Sequence, residues 1–346
     1  MALACRMKKF NVGVVGYGWV ASAHIPAINA TTLARVTAVC SARKLDSAQL
    51  SLKHGGPITV YNDLDQLLAN PDIHAVSLCS LPTQHPDQTI GAARAGKHLI
   101  IEKPLCLSLK ELRAMQAAVK RAGVKTCVCF ECRFSSQFLA TKSIIDRGLL
   151  GELHYGEVDY YHGIGPWYDQ FRWCARKEAG GSSLLEAGCH ALDALLLCMG
   201  TEVVEVSGYA SKSRSKVFAP YEYPSTSVTL LKFRNGSVGK VTSSIDCLQP
   251  YYFHTHLLGS KGSLLDNKFH STDLATNKAA WNSLAVKLLD SGDVSDHPYQ
   301  TQFEAFFNAL DRGRTMPLTS LDDAARSHEV IFAADRAAEL GRPVKL

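Results

Sequence analysis

Hydrophobic and polar positions fall into two regimes along the chain. Up to residue 130, the short apolar runs "FNVGVVG", "RVTAVCS", "ITVY", "HAVSLCS", "HLII" and "KTCVCF" read as strands. Between them, "GWVASAHIPAINA", "SAQLSLKHG", "DLDQLLAN", "PDQTIGAARAG" and "SLKELRAMQAAVKRAG" carry helical patterns. Unbroken apolar strands alternating with helices predict a doubly wound parallel sheet of about six strands. Beyond residue 131 an alternating period takes over in "GELHYGEVDYYHG", "EVVEVSGYASK", "STSVTLLKFRNGSVGKVTSSID" and "YYFHTHLLGSKGSLLDN". The Asn-Gly pair of "RNGS" suits a tight hairpin, so a largely antiparallel sheet is expected there. The helices "SLLEAGCHALDALLLCMG", "TQFEAFFNALDRG" and "SLDDAARSHEVIFAADRAAELG" accompany it, and residues 266–300 read as an irregular excursion. The expected class is therefore α/β, with one domain over 1–130 and a second over 131–346 that includes the C-terminal helices.

Composition narrows the functional classes. The 346 residues carry 37 basic and 32 acidic side chains, a net charge of +5, with no dense Lys/Arg block. That argues against a nucleic-acid partner. No apolar run reads as a membrane span, and "MALACRMKKF" lacks the charged and long apolar regions of a signal peptide. Eleven scattered cysteines, odd in number, fit reduced thiols of a cytoplasmic protein better than a disulfide framework. Cys127, Cys129 and Cys132 form one cluster without a second Cys or His pair at zinc spacing, so core packing is favoured over metal.

In "VGVVGYGWVASAH", Gly16, Gly18 and Ala21 match G-x-G-x-x-[GA] between a strand and a helix. This reads as a dinucleotide-binding turn, preferred over a purely structural glycine turn: Gly16 permits the bend, and Gly18 lets the backbone approach a pyrophosphate at the helix N-terminus. Tyr17, Trp19 and Val20 belong to the same turn. The second strand ends in Ser41 rather than an acid, with Arg43 and Lys44 following. A carboxylate would repel a 2′-phosphate, whereas serine and guanidinium can bind one, so NADP is preferred and NAD remains possible. The simpler alternative leaves Arg43 solvated or stacked on adenine.

Two further stretches carry chemistry. In "HLIIEKPLCLS" the proline ends the strand, which places Glu102 and Lys103 at the carboxyl edge where open α/β sheets bind ligands. In "AGGSSLLEAGCHALDALLLCMG", Ser183 and Glu186 fit a capping box, and Glu186, His190 and Asp193 share a face of an otherwise apolar helix. Ionisable groups on a buried stripe suggest acid–base work, with a carboxylate one turn from a histidine.

The succession Gly-x-Gly-x-x-Ala, "EKPL", and Gly-Gly followed by Glu-x-x-x-His-x-x-Asp resembles the Gfo/Idh/MocA oxidoreductases. "YNDLDQLLANPDIHAVSLCSLPTQH" and "RFSSQF" lie between these motifs in the family's order. The resemblance implies a Rossmann domain followed by an α/β domain whose open sheet faces substrate and often an oligomer partner. It implies that Lys103 lies beside the nicotinamide and bonds the reacting hydroxyl, and that His190 is the general acid/base. Glu186 stands where relatives usually carry aspartate, as catalytic partner or substrate ligand. Ser80, Leu81, Pro82 and His85 would line the cofactor together with Glu102 and Arg133, the last matching the family's Asn-x-Arg arginine.

The implied reaction is hydride transfer between a nicotinamide and a ring secondary hydroxyl of a sugar, cyclitol or glycoside. A redox-assisted glycosidase and a non-catalytic sugar or cofactor sensor are the alternatives. "DYYHGIGPWYDQFRW" offers Tyr160, His162, Trp167, Tyr168, Asp169 and Arg172 as substrate contacts, and "PYYFHTH" adds Tyr251 and His254. Aromatic faces with polar tips suit a carbohydrate, and they equally suit packing of a domain interface. A homo-oligomer is expected.

Overall fold

The computed structural model describes residues 9–274, 280–289 and 292–346. Two compact units emerge, one of residues 1–131 and 297–324, the other of 132–296 and 325–346.

The first unit holds the six predicted strands: β1 (Phe10–Val15), β2 (Ala34–Cys40), β3 (Thr59–Tyr61), β4 (Ala75–Leu78), β5 (His98–Ile101) and β6 (Thr126–Val128). They pair in the order β3-β2-β1-β4-β5-β6, and every pairing is parallel. The helices are α1 (Ala21–Asn29), α2 (Ser47–His54), α3 (Leu64–Ala69), α4 (His85–Arg94) and α5 (Leu109–Ala122). Strand order reverses between β1 and β4, so the crevice beyond their carboxyl ends is the ligand position of such sheets. Side chains of Asp46, Asp63 and Ser108 cap α2, α3 and α5, and left-handed Gly55 and Gly123 end α2 and α5.

One expectation concerning the C-terminal helices changes. The helix Tyr299–Asp311 packs with the first unit, against α1, not with the second. Its periodic face of Tyr299, Phe303, Phe306, Phe307 and Leu310 is buried, and Phe307 stacks on Phe10 of β1. An amphipathic helix records that it must be covered, not by what.

Among the described residues, the second unit is built on nine strands. Their order is β14 (Asn282–Ser283), β13 (Lys268–Ser271), β12 (Gly262–Leu265), β11 (Tyr252–Gly259), β7 (Leu153–Tyr161), β10 (Val238–Ser244), β9 (Thr226–Phe233), β8 (Val203–Ser211), β15 (Val344–Lys345). Only β7 and β10 run parallel; all other neighbours are antiparallel. β9 and β10 form the Asn-Gly hairpin, with Gly236 at φ +87°. The supposed irregular stretch 266–300 contributes β13 and β14, although residues 275–279 and 290–291 lie outside the described part.

The buried helix Cys189–Met199 covers the β7 face on which a Cβ at Gly156 would lie 2.7 Å from Leu195. It ends at left-handed Gly200, as expected. Its entry differs from expectation. Leu184–Gly188 forms a π-helical turn, and Ser183 makes no capping bond. Instead Ser182 Oγ accepts from the Leu185 N–H at 3.0 Å. The helical run Lys177–Met199 is, by length and composition, apolar enough to cross a membrane, contrary to the sequence reading. Within this unit, 83% of its apolar window is buried, so the apolarity serves the core.

Candidate active site

The glycine turn follows directly from β1. Gly16 has φ +88°, and a Cβ there would stand 2.8 Å from the Cys79 carbonyl oxygen beyond β4. Glycine is therefore required by backbone sterics alone. At Gly18 a Cβ would meet nothing within 4 Å, and no side chain caps the N-terminus of α1 that follows. Open space over an uncapped helix start suits a dinucleotide pyrophosphate. Trp19 is exposed at the turn, while Tyr17 and Val20 are half-buried.

At the end of β2, Ser41 is buried and its Oγ accepts from the Arg43 N–H at 3.1 Å. The exposed Arg43 guanidinium donates to the Tyr17 carbonyl, joining the strand end to the glycine turn. Lys44 is exposed beside it, and Lys53 Nζ donates to Tyr17 Oη at 3.1 Å. Asp46, the nearest following acid, is occupied in capping α2.

Beyond β4, Ser80 Oγ donates to Gln88 at 2.5 Å, Leu81 is exposed and Pro82 is buried. His85 is fully buried. Its Nδ1 lies 2.9 Å from the Pro104 carbonyl and its Nε2 3.2 Å from that of Ser80, and burial lowers its pKa. Rather than facing the crevice, its ring ties the β4 and β5 loops together.

Lys103 is half-buried at the carboxyl end of β5, before a cis bond to Pro104. Glu102, expected at the cofactor, turns into the core. His24 Nε2 lies 2.8 Å from its Oε1, Tyr299 Oη donates to the same oxygen at 2.9 Å, and the Lys103 N–H donates to Oε2 at 3.1 Å. His24 Nδ1 in turn meets Ser77 Oγ at 2.8 Å. Burial alone would raise the Glu102 pKa, but the bond and charge of His24, with Lys103 and Tyr299, outweigh it and hold the carboxyl at about 2. Burial likewise opposes charge on His24, yet Cys79 and Glu102 raise it to about 10. A neighbouring acid, Glu131, is pushed up to about 8 by burial and by the Glu102 charge, and lies 3.4 Å from His297. The sequence reading missed His24 and Tyr299. The available signal was an ionisable residue on the apolar face of each of two amphipathic helices.

In the second unit, His190 and Glu186 are both buried, on the helix and on its π-turn. His190 Nδ1 lies 3.7 Å from Cys132 Sγ. Asp193 shares their helix but is taken by Arg133, whose Nε and Nη2 donate to its two oxygens at 2.6 Å each, with Ser327 Oγ also at 2.6 Å. Arg133, expected at the cofactor, thus forms a buried two-pronged ion pair that fixes the histidine's helix.

Tyr160 and His162 extend the inner face of β7. Tyr160 Oη meets His162 Nδ1 at 2.9 Å, and His162 Nε2 meets Tyr168 Oη at 2.9 Å. Burial, then the Glu186 charge, pushes the Tyr160 phenol well above its ordinary range. His162, Trp167, Tyr168, Cys247 and Tyr251 line a cavity of about 620 Å³. Arg172 and Asp169 are exposed and line no part of it, and His254 points from β11 to the opposite sheet face, toward Asp266. The three clustered cysteines are buried thiols, and burial raises Cys127 beyond any physiological titration.

Residues 10–130 match the model of the oxidoreductase family with an NAD-binding Rossmann fold, and residues 138–265 match the Gfo/Idh/MocA C-terminal domain. The chain belongs to the Gfo/Idh/MocA family. It is an NAD(P)-dependent oxidoreductase. Among similar proteins, myo-inositol 2-dehydrogenase of Thermotoga maritima is 25% identical over 97% of this chain and 98% of its own. The aldose-aldose oxidoreductase of Caulobacter crescentus, solved with glycerol, shares the fold at TM-score 0.83 and 24% identity, over 98% of this chain and 100% of that one. The scyllo-inositol dehydrogenase of Lactobacillus casei, solved with NAD(H) and scyllo-inositol, does so at TM-score 0.81 and 20% identity, covering 98% and 99%. In this Gfo/Idh/MocA member the glycine turn, the β2 end and Lys103 all stand at the carboxyl edge of one parallel sheet.

Proposed function

We propose that the protein is an NADP-preferring dehydrogenase or ketoreductase acting on a ring secondary hydroxyl of a sugar or cyclitol. The observation that carries this reading is Lys103, presented at the sheet edge that also bears the glycine turn, with its N–H held by Glu102 and the following Pro104 carbonyl held by His85. The names of the inositol and aldose oxidoreductases above support the substrate class.

Gly16, Gly18 and the start of α1 would hold the dinucleotide, and Ser41, Arg43 and Lys44 its 2′-phosphate. The absence of a carboxylate directly after β2 supports NADP. When bound, the nicotinamide supplies the hydride acceptor that no side chain can provide. The chain does the rest. The Lys103 ammonium steadies negative charge developing on the substrate oxygen, and neutral His190 takes the hydroxyl proton, directly or through that lysine. In the reverse direction the imidazolium returns the proton. Glu186 stands one turn before His190, where its charge favours the protonated ring. The aromatic cavity beside Tyr160 and His162 suits a ring with apolar faces and hydroxyl edges.

The test presents hexoses, inositols and anhydrosugars with NADP⁺ or NAD⁺ and follows reduced nicotinamide. Steady reduction is expected with a ring polyol, and Arg43→Ala should weaken NADP⁺ about tenfold, the loss of a charge-assisted phosphate contact, with little effect on NAD⁺. Lys103→Ala and His190→Ala should each abolish turnover while retaining cofactor binding. Turnover surviving in both would overturn the assignment.

A further inference from the structure

The outer face of the second unit's sheet, turned away from the helix Cys189–Met199, carries a set of ligand-bearing side chains that the proposed chemistry does not use. His254 and His256 alternate with the buried Phe253, Thr255 and Leu257 on β11, so both rings emerge on this face. β7 pairs antiparallel with β11 and sets Glu157 directly opposite His256 and Asp159 opposite His254. One ligand atom from each of Glu157, His254 and His256 lies within 4.8 Å of the others. We propose that Glu157, His254 and His256 form a binding site for a divalent transition cation of the zinc type.

Three observations carry the assignment. The donor set is two imidazoles and a carboxylate, the nitrogen–oxygen combination that zinc and its neighbours prefer over calcium or magnesium. Next, His254 is already oriented: its Nδ1 lies 3.1 Å from Asp266 Oδ1, and Asp266 is itself held by the Thr255 N–H at 2.9 Å and Tyr252 Oη at 2.9 Å. A histidine whose Nδ1 proton goes to a carboxylate presents Nε2 as the lone-pair donor, the outer-shell arrangement typical of metal-bound imidazole. His256, by contrast, has no hydrogen-bond partner on either ring nitrogen among the described residues. Finally, the local charge is unbalanced. Glu157, Asp159 and Asp266 contribute three negative charges against the one of Lys240, which bonds both Glu157 and Asp159. Carboxylates and lysine alone leave two negative charges, and Asp266 raises the His254 pKa, so this face draws positive charge that a divalent cation can supply.

Lys240 and Tyr155 are the competitors: the ammonium donates to Glu157 Oε1 and the Tyr155 hydroxyl to Oε2 at 2.7 Å, so the cation must displace one of them. Asp159 Oδ2, at 2.8 Å, keeps that lysine paired when Glu157 turns to the cation. Donor atoms of a tetrahedral site lie roughly 3.4 Å apart at bond lengths near 2.1 Å, so side-chain rotations at this half-exposed face close the cluster. The bound ion would join β7 to β11.

The chelator-treated full chain is titrated calorimetrically with Zn²⁺ alone, and separately with Co²⁺ alone while its visible spectrum is followed. One equivalent is expected, with the intense Co²⁺ bands of a four-coordinate site and a raised unfolding temperature. His254→Ala/His256→Ala, half-exposed positions confirmed as folded by circular dichroism, should bind at least about 100-fold more weakly, and Glu157→Gln about tenfold. No heat at about 100 µM Zn²⁺, or an equivalent retained undiminished in the double histidine variant, overturns the site.

Discussion

Replacing Glu102 by glutamine keeps the volume and an acceptor for Tyr299, but removes the charge facing His24. The displacement of the carboxyl from 4.5 to about 2 corresponds to roughly 3 kcal/mol of differential stabilisation. The larger displacement of His24 includes the effect of Cys79, so the carboxylate is the better measure of the pair. Leaving one partner of a buried ion pair typically costs about 3–5 kcal/mol, consistent with that figure. The pH dependence has two limbs. Glu102 is depressed in the folded state, so its contribution is present above pH 4.5 and lost as pH falls through about 2. His24 is raised, so its contribution is complete below pH 6.5 and lost as pH rises through about 10. Wild type and Glu102→Gln should therefore differ most near pH 5.5, by about 3 kcal/mol, and converge toward pH 10. Amide hydrogen exchange of β4 and β5 under mild urea reads this unit separately from the other. A difference below about 1 kcal/mol, or one unchanged from pH 5.5 to 10, would refute the ion-pair reasoning.

Two glycines in one turn should fail differently. Gly16→Ala meets backbone at 2.8 Å in a left-handed conformation, so a drop in unfolding temperature and loss of cofactor binding are expected together. Gly18→Ala meets nothing, so it should keep the wild-type unfolding temperature while weakening nicotinamide dinucleotide binding at least about tenfold by fluorescence titration. Arg133→Ala strands buried Asp193, and about 3–5 kcal/mol of stability should disappear in denaturant unfolding. Arg133→Lys, which keeps the charge without the fork, should recover part of it.

Local pattern announced most of what is periodic. Unbroken apolar runs, Asn-Gly at the hairpin and Gly16 before α1 were legible because each is a constraint a residue imposes on its own backbone or face. Lys103 was legible for the same reason, since the proline after it must end a strand. The π-turn before His190 was not, because it moves the side-chain bond at the helix start from the expected Ser183 to Ser182, a one-residue shift that no residue type announces.

The sequence by itself determined the parallel sheet, the cofactor turn and the residue types available for chemistry. Tertiary structure alone decided their partners. Arg133 and Asp193 stand 60 positions apart, and Glu102 and Tyr299 are separated by 197. Such pairings follow from which buried faces meet, and a buried charge must find its counter-charge wherever the chain brings one. The same holds for the helix Tyr299–Asp311. Its amphipathic face was visible in one dimension, and only three-dimensional packing assigned that face to α1.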